Sequence, residues 1–310
     1  VWVVQPSLRA EVLAEEGELV HVLPDYDRHP VRGHFLSNIR QAARIVRQDR
    51  PSLIVTSGAG ITVPFCLFAR LTGARIVFVE TMARITGPSA SGRVLSRLAS
   101  SVLVQWPEAM SAYPRATLCQ PALLSAFGEW AGSPGRGTFV AVGTHSQQFN
   151  RLLEMVDRAV EGGLLPSPVV AQGGVSTYKP RNYELRDWLT PDEVSEAAAA
   201  AEYVVCHAGS GLISCALRAS RRPMVLPRRA AYHEHFNDHQ AQIAEKLDGL
   251  ELAVMLTGEI TGESLRAADA PLADSEPDAA TPSVEAALRA ELVAELGQSK
   301  PEKTSLTYAG

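Results

Sequence analysis

Four stretches of the sequence combine residue types that could do chemistry on a phosphate or a sugar. Gly143-Thr144-His145-Ser146 follows an apolar run and precedes a helical one. Small residues let a backbone approach an anion, and a helix start offers it free N–H groups. His207-Ala208-Gly209-Ser210-Gly211 repeats that arrangement and adds an imidazole and a hydroxyl. Plain tight turns, with the histidine bonded to backbone, would read the same way. The third stretch, Pro227 to Gln240, carries Arg228, Arg229, His233, Glu234, His235, Asn237, Asp238, His239 and Gln240. Asp, Asn and Gln match sugar hydroxyls, which donate and accept, while Arg and His match phosphate. The fourth is Glu80, Arg84 and the Ser/Gly-rich loop Gly87 to Gly92. A carboxylate closing a strand serves as a base, a cap or half of an ion pair, here with Arg84. His235 and His239 are four apart, but no third or fourth ligand has zinc-enzyme spacing, so no metal and no cofactor is expected.

These residues need a scaffold that brings strand ends together. Short apolar runs at 53–55, 75–79 and 102–104 alternate with helical spacing at 35–48, 61–71 and 95–100. After the Gly/Pro-rich stretch Gly128 to Gly137 the pattern restarts. Strands are expected at 138–142, 169–171, 203–206 and 224–226, and helices at 147–160, 191–201 and 212–219. Thr190-Pro191-Asp192-Glu193 reads as a capping box with Pro at the first helical position. Strands separated by helices imply βαβ units and parallel sheets. The expected organisation is a first domain over 1–127, a linker over 128–137, a second domain over 138–265, and a flexible acidic tail over 266–310. Its end, Val284 to Leu296, has helical spacing and would either dock on the first domain or float.

With 46% hydrophobic and 20% charged residues, the 310-residue chain can bury two cores. It contains no run of eighteen apolar residues and no secretory signal, and it opens on Val1, so upstream residues are expected. Cys66, Cys119, Cys206 and Cys215 sit in apolar contexts without a CxxC pair, as buried thiols do. Before residue 128 there are 13 Arg and no Lys against 9 acids. That basic half, with Gly92 to Leu98 alternating basic and apolar residues, fits an anionic membrane surface; plain replacement of Lys by Arg would look the same.

The second half resembles the donor-binding subunit of the two-component glycosyltransferases of exopolysaccharide and capsule assembly, related to the pair that adds the second GlcNAc of N-glycan precursors. The residues that carry it are Phe139 to Asp157, Gln172 to Pro180, His207 to Gly211 and Pro227 to Gln240. The first half resembles the acceptor subunit, through Val55 to Gly60, Phe78 to Ser89, and Val104 to Glu108 followed by Tyr113-Pro114. The resemblance implies a GT-B-like α/β architecture: two Rossmann-like domains with parallel sheets and a donor site in the interdomain cleft. It implies inverting transfer of glucuronate, galactose or GlcNAc from UDP to a polyprenyl diphosphate-linked saccharide, on the cytoplasmic face of the membrane, with a UDP-sugar and a lipid-linked sugar as partners and no nucleic acid. Homo-oligomerisation stays open.

Within that frame Gly143, Thr144 and the turn Gly209-Ser210-Gly211 are expected at the diphosphate, with His207 and Arg228. Glu234, Asn237, Asp238 and Gln240 are expected at the donor sugar, His235 elsewhere in the donor site, and Arg84 on the acceptor side. The catalytic base stays undecided among His145, Glu80 and a residue upstream of Val1. Where related sites place a ribose-binding Glu, this chain has Cys215. The competing readings are a non-hydrolysing UDP-sugar epimerase and a non-catalytic enhancer of a partner transferase. A nicotinamide oxidoreductase ranks last, because no GxGxxG follows a first strand.

Overall fold

The computed structural model describes residues 2–4, 15–17, 19–22, 32–124, 135–235, 238–272 and 280–298. Most of the expected linker, residues 128–134, and Asn237 lie outside them. The chain divides into two compact units. The first holds Val1–Thr81, Thr86–Cys119 and Pro282–Gly310; the second holds Met82–Ile85 and Gln120–Thr281.

In the first unit β1 (Trp2–Val4) and β2 (Val20–Val22) form a parallel pair. β3 (Leu53–Thr56), β4 (Arg75–Val79), β5 (Ser101–Val104) and β6 (Thr117–Leu118) form a parallel sheet in chain order. The helices Arg32–Asp49, Thr62–Leu71 and Gly92–Leu98 alternate with them. Ala42, Ile45 and Val46 face the core with Phe65, Cys66, Ile76, Phe78 and Leu95, while Arg40, Arg44 and Arg47 stay exposed. That split is the amphipathic stripe the spacing anticipates. The terminal helix Val284–Gln298 docks on this unit. Its Val284, Ala287 and Leu288 pack on Val77, Leu103 and Cys119, and Glu291 pairs with Arg75 at 2.6 Å. In the stretch read as a tether, the helix Gly262–Asp269 covers the start, and 273–279 lies outside the described residues.

The second unit is a six-stranded parallel sheet in the order β12-β11-β10-β7-β8-β9. The strands are β7 (Thr138–Ala141), β8 (Val169–Gln172), β9 (Leu185–Arg186), β10 (Tyr203–His207), β11 (Met224–Leu226) and β12 (Val254–Met255). The chain starts at the centre, walks out through β8 and β9, then returns to β10 and walks the other way. This is the doubly wound order, with its switch point between β7 and β10. The helix Pro191–Ala200 starts on the anticipated capping box, with Glu193 N donating to Thr190 Oγ1 and Thr190 N to the Glu193 carboxylate. All four cysteines are free and buried.

The helix Asn150–Glu161 turns Leu152, Leu153, Met155, Val156 and Ala159 into the core. It starts at Asn150, three residues later than its spacing suggests, because the backbone of 147–149 is held by other bonds. Its buried Asp157 accepts from Tyr178 Oη (2.8 Å), the backbone N–H groups of Arg181 and Asn182, and Asn182 Nδ2. Burial raises the pKa of this carboxyl, but the donors from Arg181, Tyr178 and Asn182 outweigh it and leave the pKa below its ordinary value of 3.8. A depressed folded pKa gives stability that is present above the unfolded value and lost as pH falls through the folded one. Asp157→Asn should therefore lower unfolding free energy by about 1–2 kcal/mol at pH 7, with a smaller difference near pH 3. Urea titrations at both pH values check this; an equal difference at both would contradict it.

Candidate functional site

The site of the second unit is built on the two turns at its switch point. β7 is followed by Gly143, at φ +78, and β10 ends at His207 with Gly209 two residues on. A Cβ on Gly143 would lie 2.3 Å from His207 Cε1, and one on Gly209 would lie 2.1 Å from His207 Nε2. The imidazole therefore packs against both glycines, and only hydrogen fits there. Burial and the nearby positive charge of Arg228 lower its pKa to about 3, with His145 and His235 adding to the shift. His207 is a neutral spacer between the turns at physiological pH. The helix Ser210–Arg218 starts at Gly209, whose position provides no side-chain cap. Its first N–H groups have no partner within the helix, and its dipole places the positive end at the Gly209 turn. Ser210 is half-buried, while Gly211 and Thr144 are exposed.

Arg228 stands behind these turns, not among them. It is 0% exposed. Its Nη1 donates to the carbonyls of Gln147 (2.9 Å), Gln148 (3.1 Å) and Glu234 (2.9 Å), and its Nη2 to Val142 (2.7 Å). Its guanidinium lies 4.6 Å from the centre of the Phe149 ring. The expectation that Arg228 touches a phosphate is corrected: those donors are spent on backbone. Burial lowers its pKa to about 10, so it stays charged and still biases the local field toward anions.

Glu234, expected at the sugar, is 1% exposed and forms a two-pronged ion pair with Arg151, at 3.0 and 2.7 Å. It also accepts from Arg229 N at 3.0 Å. Its carboxylate holds the loop and does not face a ligand. Gln240 accepts from Arg228 N through Oε1 (3.1 Å), so its amide nitrogen is the end that could donate to a sugar. Asp238 is exposed, with one carboxylate oxygen accepting from Ala230 N at 2.9 Å. The rings of His145 and His235 lie 4.7 Å apart.

Both candidate bases already carry hydrogen bonds. His145 Nδ1 accepts from Gln147 N at 3.2 Å. A neutral imidazole accepting there carries its proton on Nε2 and is a donor at that end. In the first unit, Glu80 is 1% exposed. Its carboxylate accepts from Thr81 N (2.9 Å), Ser89 N (3.0 Å) and the Tyr113 hydroxyl, and its backbone carbonyl from Gln105 Nε2. It organises the loop after β4. Arg84, expected on the acceptor side, lies in the Met82–Ile85 segment that belongs to the second unit. There burial lowers the pKa of His239, with the Arg84 and His235 charges adding to it. Cys215 is turned from the crevice: its Sγ lies 3.9 Å from the Val194 carbonyl, in the packing between the helices Ser210–Arg218 and Pro191–Ala200. Among the described residues no three His, Cys, Asp or Glu side chains gather as metal ligands.

Arg151, Asn150 and Asp157 escape the sequence reading. They lie on a helix whose apolar stripe explains it fully, and the single signal is an Arg in its first turn, where an acid would be usual.

Residues 138–296 match the glycosyltransferase family 28 C-terminal domain, and residues 32–121 match the oligosaccharide biosynthesis protein Alg14-like family. The chain belongs to glycosyltransferase family 28 and is a glycosyltransferase. It is 27% identical over 252 residues to the UDP-N-acetylglucosamine–N-acetylmuramyl-(pentapeptide) pyrophosphoryl-undecaprenol N-acetylglucosamine transferase of Citrifermentans bemidjiense, covering 76% of this chain and 68% of that one. The chain spans 66% of the same transferase from Geobacter. Over 77 residues it is 34% identical to human UDP-N-acetylglucosamine transferase subunit ALG14, covering 23% of this chain and 36% of that one. Among solved structures, MurG of Acinetobacter baumannii superposes with a TM-score of 0.56 at 17% identity, over 85% of this chain and 79% of that one. A UDP-GlcNAc 2-epimerase of Methanocaldococcus jannaschii superposes with a TM-score of 0.55 at 8% identity, over 96% and 99%. These structures share the GT-B fold of two domains with parallel sheets.

Proposed function

We propose that the protein transfers a sugar, GlcNAc first among the candidates, from UDP to a saccharide linked to a polyprenyl diphosphate, with inversion. The observation that carries the reading is the uncapped helix start at Gly209 beside Gly143, with a buried cation behind both turns. Such a site holds a diphosphate by backbone N–H groups and stabilises it as it departs. The acceptor oxygen forms its bond to the sugar's anomeric carbon as the bond to UDP breaks, and the acceptor proton passes to a base. Asp238 and the amide nitrogen of Gln240 are the groups available for sugar hydroxyls. Relatives named for UDP-GlcNAc and a pyrophosphoryl-undecaprenol acceptor support the donor and acceptor classes. Whether the product enters exopolysaccharide or a peptidoglycan-type precursor turns on the acceptor saccharide.

Membrane attachment belongs to the same proposal. Among the described residues no helix is long and apolar enough to cross a membrane. Exposed Leu67, Leu71 and Val94 lie beside exposed Arg70, Arg93 and Arg97 on two helices that pack together, which suits an anionic surface.

The deciding experiment is a donor screen with polyprenyl diphosphate-linked saccharides, run with and without EDTA. Transfer from UDP-GlcNAc that survives chelation is expected. Activity lost to EDTA and restored by Mn²⁺ would overturn backbone-only stabilisation of the diphosphate. Release of a free epimer without acceptor would replace transferase by epimerase.

A further inference from the structure

The loop between β11 and the helix His239–Gly249 presents His235 and Asp238 and leads into Gln240 at the helix start, yet its described part has little regular structure of its own. Its described part contains one short 3₁₀ turn, Ala230–Tyr232, followed by His233 at φ 57. Besides Arg228 at the Glu234 carbonyl and the Ala230–Asp238 bond, what fixes it comes from the helix Asn150–Glu161. Arg151 binds the Glu234 carboxylate through Nε and Nη2 and donates from Nη2 to the Pro227 carbonyl at 2.8 Å. Its guanidinium also lies 5.0 Å from the centre of the Tyr232 ring. One side chain thus grips the loop at Pro227, Tyr232 and Glu234. The grip does not extend to the glycine turns, which are braced by Arg228 and His207.

We infer that Arg151 and Glu234 are positioning residues that set how Arg229–His235 and Asp238 are presented to the donor's sugar, without contributing to the hold on the diphosphate. The inference rests on the donor-site reading above and deepens it. Two anchoring systems serve two parts of one ligand. Arg228 holds Val142 beside the Gly143 turn and also bonds the Glu234 carbonyl, while the Arg151–Glu234 pair grips the side chains and carbonyls of the sugar loop. Arg151 is 27% exposed and Glu234 1%, so the pair is sheltered enough for its geometry to be held.

The split can be measured with purified full chain by calorimetry of UDP and UDP-GlcNAc, alongside transfer kinetics and melting. Arg151→Met should weaken UDP-GlcNAc about tenfold or more, because small displacements of positioning groups are costly, while UDP binding changes by less than about threefold. The same variant melts lower, since it leaves the Glu234 carboxylate buried without its counter-ion. Arg151→Met with Glu234→Gln removes that charge and keeps an acceptor for Arg229 N, so melting should recover while UDP-GlcNAc stays weak. Arg151→Lys should recover part of the sugar affinity at most, because one ammonium cannot reproduce the two-pronged bond. If sugar affinity returns together with melting in the double variant, or if the ratio of UDP to UDP-GlcNAc affinity is unchanged in Arg151→Met, the pair is structural and the inference fails. If wild-type protein binds neither UDP nor UDP-GlcNAc, the donor-site reading fails and the inference with it.

Discussion

Gly143→Ala should abolish detectable UDP binding and reduce kcat/KM by about a hundredfold or more, the range seen when transition-state contacts are misplaced. Two independent obstacles act at this position. The backbone is at φ +78, which a residue with a Cβ adopts at a cost. The new Cβ would also stand 2.3 Å from His207 Cε1, and that ring is packed against Gly209 as well, where even a Cβ would lie 2.1 Å from Nε2. The turn must therefore move away from the helix start that it faces across the switch point. Removing the ring gives the control. Gly143→Ala with His207→Ala relieves the clash but not the φ strain, so it should recover part of the UDP affinity. Calorimetry on both variants, with circular dichroism to establish folding, decides the matter. Wild-type UDP affinity in folded Gly143→Ala would remove the diphosphate from this turn.

Arg228→Met should be the most destabilising single substitution in the second unit, by about 4 kcal/mol or more in unfolding free energy. Methionine fills much of the volume but donates nothing. The carbonyls of Val142, Gln147, Gln148 and Glu234 then lose a donor together. A buried group left without its partner costs about 1–3 kcal/mol, and water reaching the site would recover part of it. Arg228→Lys should fall between, since one ammonium reaches fewer carbonyls than a planar fork. Guanidinium denaturation of the full chain measures both. A loss below about 1 kcal/mol would mean that the loops are held by something else and that Arg228 is available to ligand after all.

Arg228 and Glu234 also show where reading the sequence stops. Both stand in a polar stretch after a buried strand, and that position is where open α/β sheets bind ligands. Their residue types suit phosphate and sugar, so a ligand-facing role follows from local pattern alone. Their partners lie far along the chain: Val142 and Gln147 for Arg228, Arg151 for Glu234. No local pattern encodes a contact across more than eighty positions. Glu80 is a similar case, bonded to Ser89 and Tyr113 in its own unit. Cys215 matched a ribose position by count along the helix, and helix–helix packing turned it elsewhere.

The sequence by itself determined the elements and the kind of chemistry. Apolar runs spaced by helices specify parallel α/β halves, the Thr190–Glu193 box specifies a helix start, and glycines flanking strand ends specify tight turns. Each is a local property, set by side-chain period, backbone freedom or one turn of hydrogen bonds. The tertiary structure decided which polar side chains are left for a ligand. Sheet order places β10 beside β7, which brings His207 between Gly143 and Gly209. Packing then buries Arg228, Glu234 and Glu80, and burial obliges each to find partners inside the protein. A charged residue in a loop is a candidate for function until the fold shows what its atoms are bonded to.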